Sequence, residues 1–279
     1  MSREEEEALV TRARAGDKIA LSDLIRSSQQ LVYKLAVRMV PDPVEAQDLT
    51  QEVLIRVVTG LARFRGESSF KTWVYRVASN HLLTARKRLA EQHVESLDVL
   101  AEKLAEGVAD GLEARDVPIE DQLVIKEAKL TCTSRMLLGL DRDHRIAFIL
   151  GEILELSSEE GAEVLEIDSA AFRKRLSRAR ERMSAFTEDN CGIVNPERAC
   201  RCSKQAARLV RLGAFDPQRL CWTSHPVHPR SATPSHVMEL ESIERTLELF
   251  RSHPDYAAPT ALADGLRALI DSDTTGLMS

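Results

Sequence analysis

Apolar residues recur every three or four positions through the first third of the chain. Ile19, Leu21, Leu24, Ile25, Leu31, Val32, Leu35 and Met39 form one such stripe, the spacing of an amphipathic helix. Pro41-Asp42-Pro43 ends it, because proline fixes φ and lacks an amide donor. Asp42 then suits an N-cap and Pro43 the first helical position. The helix that follows is predicted to bury Val44, Leu49, Val53, Leu54, Val57 and Val58. Residues 65–69 read as a loop. A third helix starts near Ser69 and runs through Trp73, Val77 and Leu82 towards Arg88. The pattern predicts an all-α bundle over residues 8–92, inside a first domain bounded at 1–92.

The periodicity then breaks. Gly107, Gly111 and Pro118 interrupt residues 93–125, which read as an acidic linker with transient helix. A second helical unit spans 126–186, with Leu130, Met136, Leu137, Leu140, Ile146, Ile149, Leu150 and Ile153 as its core. Ser157 with Glu160 three residues on fits a capping box. A short helix over 158–165, a turn at 166–168 and a longer helix capped by Asp168 complete a helix-turn-helix pattern. Residues 187–279 form a mostly helical C-terminal extension, with helical stripes at 237–251 and 260–270.

Composition narrows the class. Aromatics are 4% of the chain and Gly numbers only 12, too few for an all-β protein. No apolar run reaches membrane-spanning length, and the acidic N-terminus lacks the apolar core of a secretory leader. Five cysteines, an odd number, do not read as a disulfide framework. A cytoplasmic, multi-domain protein without a membrane span is expected.

The net charge of −6 hides a segregation. Residues 63–88 hold seven Lys/Arg and one acid, and residues 172–182 hold six and one. Between them, residues 94–128 carry ten acids. Two basic patches joined by an acidic connector suggest two anchoring sites on one polyanion. In the second patch, Arg173, Lys174, Arg175 and Arg178 face outward while Phe172, Leu176, Ala179 and Met183 face inward. Such a helix suits the major groove of duplex DNA. The first patch interleaves Phe64, Phe70, Trp73 and Tyr75 with Arg65, Lys71 and Arg76. Cations track phosphates and aromatic faces stack on unpaired bases, a mixture suited to single-stranded DNA. Phe70 and Trp73 read as core, and Arg76 and Asn80 as nucleic-acid contacts. Asp48, Gln51 and Glu52 share one polar helix face. No residue set reads as catalytic, and a binding protein rather than an enzyme is expected.

The run Pro43-Val44-Glu45-Ala46-Gln47-Asp48-Leu49-Thr50-Gln51-Glu52-Val53, followed by Phe64 to Asn80 (FRGESSFKTWVYRVASN), closely resembles region 2 of extracytoplasmic-function (group IV) bacterial sigma factors. Leu140-Asp141-Arg142-Asp143-His144-Arg145 through Arg182 resembles region 4 of the same family. The resemblance covers residues 8–186. It implies a non-catalytic factor that binds core RNA polymerase and directs promoter-specific initiation, with no required cofactor. The Asp48, Gln51 and Glu52 face would dock on polymerase. Phe64, Arg65, Ser68, Ser69, Lys71, Arg76 and Asn80 would read the −10 element of promoter DNA. Ser169, Phe172, Arg173, Lys174, Arg175 and Arg178 would read the −35 element. An anti-sigma factor is a further partner the family allows. A stand-alone helix-turn-helix regulator is the alternative. Three positions depart from the family pattern: Gly161 replaces an apolar residue, Glu166 a turn glycine, and Phe172 a small β-branched residue.

The extension holds four of the five cysteines and four of the seven histidines. Cys191, Cys200 and Cys202 lie within twelve residues, with Cys221, His225 and His228 downstream. Thiols in this number could hold zinc or copper, form a redox pair, or act as small buried hydrophobes. Some sigma factors of this family carry cysteine-rich, metal-sensing tails that this one resembles. The extension is expected to pack on one of the two domains and to regulate access to polymerase or promoter.

Overall fold

The computed structural model describes residues 3–40, 42–89, 96–109, 122–224 and 242–259, and among them every regular element is a helix. In chain order these are α1 (Arg3–Arg14), α2 (Lys18–Met39), α3 (Pro43–Gly60), α4 (Phe70–Leu89) and α5 (Leu97–Ala109). There follow α6 (Gln122–Gly139), α7 (Arg142–Phe148), α8 (Ser158–Leu165), α9 (Ser169–Asn190), α10 (Cys202–Arg211) and α11 (Ser242–Arg251). The chain divides into two units. The first takes the described residues up to 89 together with 157–172 and 256–259; the second takes the rest.

In the first unit, local sequence sets the helix starts. Asp17 accepts hydrogen bonds from the Ile19 and Ala20 amides, at 2.9 and 3.1 Å, and so opens α2. Asp42 accepts from the Val44 amide at 2.7 Å and Pro43 begins α3, as the proline pattern predicts. Helix α2 packs on α1, α3 and α4. Leu21, Leu24, Val32, Tyr33, Leu35, Val53, Leu54, Val74 and Leu82 are buried, and each such side chain contributes about 1.5–3 kcal/mol on leaving water. Two expected core residues are exposed. Ile19 and Val44 are 67% and 59% exposed, since both sit in the first turn of a helix where neighbours are few.

The second unit corrects the linker expectation. Residues 97–109 form the regular helix α5, whose Leu97, Leu100 and Leu104 are buried, and α6 already begins at Gln122. Helix α5 packs on α6 and α10. Gly107, read from the sequence as a breaker, lies inside α5. A Cβ there would stand 2.4 Å from the Gln205 side chain, so the glycine makes room for α10. Arg145, 2% exposed, ties off the end of α6. It donates to the carbonyls of Leu137, Leu138 and Leu140 at 2.8, 2.6 and 2.7 Å. The Leu137 and Leu138 carbonyls lie in the last turn of α6, where α-helical donors run out, and Leu137 also accepts from the Leu140 amide at 3.2 Å.

The extension adds to both units. In the second, α10 lays Ala206 against Val124 and Ala128 of α6, and α11 lays Phe250 edge-on to Phe148, with ring centres 5.3 Å apart. In the first, the Gln29 amide donates to the Pro259 carbonyl at 2.7 Å. Of the expected helical stripe at 237–251, residues 242–251 appear as α11; residues 237–241 and the stripe at 260–270 lie outside the described residues.

Candidate nucleic-acid interface

Helix α3 turns Leu49, Val53, Leu54, Val57 and Val58 inward, which leaves Asp48, Gln51 and Glu52 exposed on the opposite side. Ile55, 44% exposed, extends this face with an apolar contact. Glu52 is steadied from α4, where His81 Nε2 lies 2.8 Å from its carboxylate. His81 is therefore a positioning residue rather than an ordinary helical histidine.

The stretch 64–80 separates into packing and contact residues. Phe64, Phe70 and Trp73 form one aromatic cluster with ring centres 5.3–5.9 Å apart. Phe64 is 7% exposed, which corrects its expected place on the DNA-reading surface: its ring is committed to core. The Ser69 hydroxyl is likewise engaged. It accepts from the Thr72 amide at 3.0 Å and pairs with the Thr72 hydroxyl at 2.7 Å, opening α4. Arg65 and Lys71 are exposed, and Ser68 is half-buried. Gly66 takes φ +74°, a turn conformation that suits glycine. Arg76 and Asn80, one turn apart on α4, meet α8. The Arg76 guanidinium donates to the Glu163 carbonyl and carboxylate, both at 3.2 Å, and Asn80 donates to the Glu166 carboxylate at 3.4 Å.

The helix-turn-helix is built from its caps. Ser157 and Glu160 form a reciprocal capping box, with bonds of 3.1 and 2.8 Å. Asp168 accepts from the Ala171 amide at 2.8 Å and opens α9. Between them Glu166 is left-handed, at φ +54°, the conformation for which glycine is the usual residue. The other two departures from the family pattern are one feature. A Cβ on Gly161 would lie 2.3–2.8 Å from three atoms of the Phe172 ring, so the large ring occupies the space the small residue vacates. Phe172 is wholly buried, which corrects its placement among DNA-reading residues. On α9, Arg173, Lys174 and Arg178 are exposed and Ser169 is half-buried. Arg175 is half-buried and pairs with Asp143 at 2.9 Å. Arg182 pairs with Asp141 at 2.9 Å. Desolvation pushes the Asp141 carboxyl up, but the hydrogen bonds from His144 outweigh it and hold it below its ordinary value.

The extension is fastened by buried polar groups. The Glu127 carboxylate, 3% exposed as a residue, accepts from the Cys221, Trp222 and Thr223 amides at 2.8–3.0 Å. Glu152, also buried, meets Arg180 of α9 and Arg251 of α11, the latter at 3.1 Å. Thr187 pairs with Thr246 at 2.8 Å, and Thr133 bonds His253. None of these pairings is visible from sequence spacing, since the partners lie 28 to 120 residues apart.

The cysteines converge, but not as a metal centre. Among the described residues no group of three or more His, Cys, Asp or Glu stands in an arrangement that could hold a metal ion. The zinc or copper expectation at Cys191, Cys200 and Cys202 therefore finds no support, and His225 and His228 lie outside the described residues. Cys132 of α6, outside the expected ligand set, lies near the three thiols of the extension. Burial and the neighbouring thiols push Cys132 well up from its ordinary value, and Cys202 up to about 11. Cys200 is also raised by burial. All five cysteines are free thiols.

Comparison with known proteins points the same way as the geometry. Residues 24–92 match the Sigma-70 region 2 family and residues 130–183 the Sigma-70, region 4 family. The chain is 33% identical over 185 residues to the RNA polymerase sigma-H factor of Pseudomonas aeruginosa, covering 65% of this chain and 93% of that protein. It is 31% identical over 180 residues to the ECF RNA polymerase sigma-E factor of Escherichia coli K12, covering 63% and 91%. The sigma-E factor of Salmonella typhimurium LT2 matches to the same extent. Among the described residues no helix is long and apolar enough to cross a membrane.

Proposed function

The chain belongs to the ECF family of RNA polymerase sigma factors, which direct transcription initiation, and on that premise we propose how its own residues divide the work. The first domain (1–92) and the helix-turn-helix domain (126–186) are two DNA-anchoring modules on core RNA polymerase. Asp48, Gln51 and Glu52, with Ile55 beside them, form the polymerase-docking face. The observation that carries this is their shared exposure on one side of α3, with Glu52 held by His81. Arg65, Ser68, Lys71, Arg76 and Asn80 contact the −10 strand. Arg173, Lys174 and Arg178, with Ser169, contact the −35 duplex, where each well-made base contact discriminates by about 1–3 kcal/mol. Phe64, Ser69 and Phe172 shape these surfaces from within. The protein acts in the cytoplasm, where polymerase and promoter are.

The extension regulates this factor. The support is its anchorage: α11 and α9 share the buried Glu152 carboxylate, so displacement of the extension acts on the helix that carries Arg173, Lys174 and Arg178. Binding of labelled core polymerase to the triple variant Asp48→Ala/Gln51→Ala/Glu52→Ala tests the docking assignment. A tenfold or greater loss with unchanged helicity is expected. Unchanged binding overturns it and favours the stand-alone regulator.

A further inference from the structure

The contact between α4 and α8 has a chemical sense beyond packing. Arg76 and Asn80 offer guanidinium and amide donors, the groups that suit phosphate oxygens and base edges. Both are occupied. Arg76 is held by the carbonyl and the carboxylate of Glu163, at 3.2 Å each, and Asn80 by the carboxylate of Glu166, at 3.4 Å. Two carboxylates and a carbonyl thus present acceptor oxygens to one face of α4. Neither acid is needed to hold α8 together: the capping box uses Ser157 and Glu160, and both Glu163 and Glu166 are exposed. Glu166 even stands in a left-handed position, φ +54°, where glycine would be less strained. A residue that costs conformational energy and reaches across to Asn80 is better explained by what it touches.

We infer that the acidic edge of α8, Glu163 and Glu166, is a built-in competitor for the −10 strand that keeps the DNA-contacting donors Arg76 and Asn80 occupied in the free protein. The inference rests on the assignment of Arg76 and Asn80 to that strand. Promoter DNA would replace carboxylate and carbonyl oxygens with phosphate and base acceptors, one set for the other, so neither donor is left unpaired in either state. The contact is partly exposed: the Arg76 and Glu163 side chains retain 27% and 42% of their accessible surface. It is therefore weak enough to exchange.

The test is fluorescence anisotropy of a labelled twelve-nucleotide single-stranded DNA pool with the full-length protein and no polymerase. Glu163→Gln/Glu166→Gln is expected to bind about two- to fivefold tighter than wild type, the scale of one partly exposed ion pair. Glu166→Gly keeps the left-handed turn and removes the Asn80 partner; it should give a smaller gain without loss of stability. Arg76→Ala should cancel the gain in the acidic-edge variant. Equal affinity of wild type and both glutamate variants, with Arg76→Ala still weakening binding, overturns the competitor while leaving the −10 assignment intact. If Arg76→Ala has no effect in either background, the −10 assignment itself fails and the competitor with it.

Discussion

Gly161→Ala is expected to destabilise the protein, against its helix propensity. On propensity alone, alanine in a helix interior gains about 1 kcal/mol over glycine. Here the new Cβ would stand 2.3, 2.4 and 2.8 Å from Phe172 Cζ, Cε2 and Cε1. The ring cannot swing away, because Phe172 has no exposed surface and α9 is fixed by Asp168 at its start. Inserting a methyl group into a filled core costs about 1–3 kcal/mol, and contacts this short belong at the upper end. The net expectation is a loss of about 1–2 kcal/mol, the overpacking cost less the propensity gain. Phe172→Leu alone opens a cavity and also destabilises. The double variant should recover part of the sum, with a coupling energy of about 1–2 kcal/mol. Urea unfolding followed by circular dichroism, at constant m-value, measures all four corners of the cycle. If Gly161→Ala stabilises by about 1 kcal/mol and the two changes add, the glycine is merely a poor helix residue and the paired-substitution argument fails.

Glu152→Ala should cost about 2–3 kcal/mol, because it strands Arg180 and Arg251, though both keep access to water. Truncation after Phe186 removes Arg251 and α10 together and should unfold the second unit rather than release an active factor; limited proteolysis of the truncated chain checks this. The raised thiols give a signed pH dependence. Cys132, Cys200 and Cys202 stay protonated in the fold where the unfolded chain ionises near 9, so stability is lost as pH rises above about 9, the Cys202 share of it by about 11, its folded value. Thermal melts across that range, compared with a Cys202→Ser variant, should show the smaller loss in the variant. At pH 8, iodoacetamide followed by peptide mapping should find Cys221, which is exposed, labelled before Cys202.

Short-range signals were legible in the sequence. The Asp42–Pro43 start of α3, the Ser157–Glu160 box and the Asp168 cap each depend on residues within three positions, and each forms as the spacing predicts. The apolar stripe of α2 is legible for the same reason. Long-range pairings were not. Leu97, Leu100 and Leu104 form a helical stripe, but it was hidden by charge and by Gly107, whose purpose appears only when Gln205 fills the space beside it. Phe64 reads as an exposed aromatic among cations, and only the Phe70 and Trp73 rings show it to be core. Cys132 carries no local cue that it meets thiols some sixty or more residues away. Gly161 and Phe172, read singly as departures from a family pattern, are a single exchange of volume once their contact is seen.

Run-off transcription with bacterial core RNA polymerase, the full-length protein and a library of promoter sequences tests the central claim most directly. Transcripts are expected from templates sharing a discrete −35/−10 pair, lost with Asp48→Ala/Gln51→Ala/Glu52→Ala and weakened by Arg76→Ala. No transcripts from any template, together with tight duplex binding in the absence of polymerase, would contradict it.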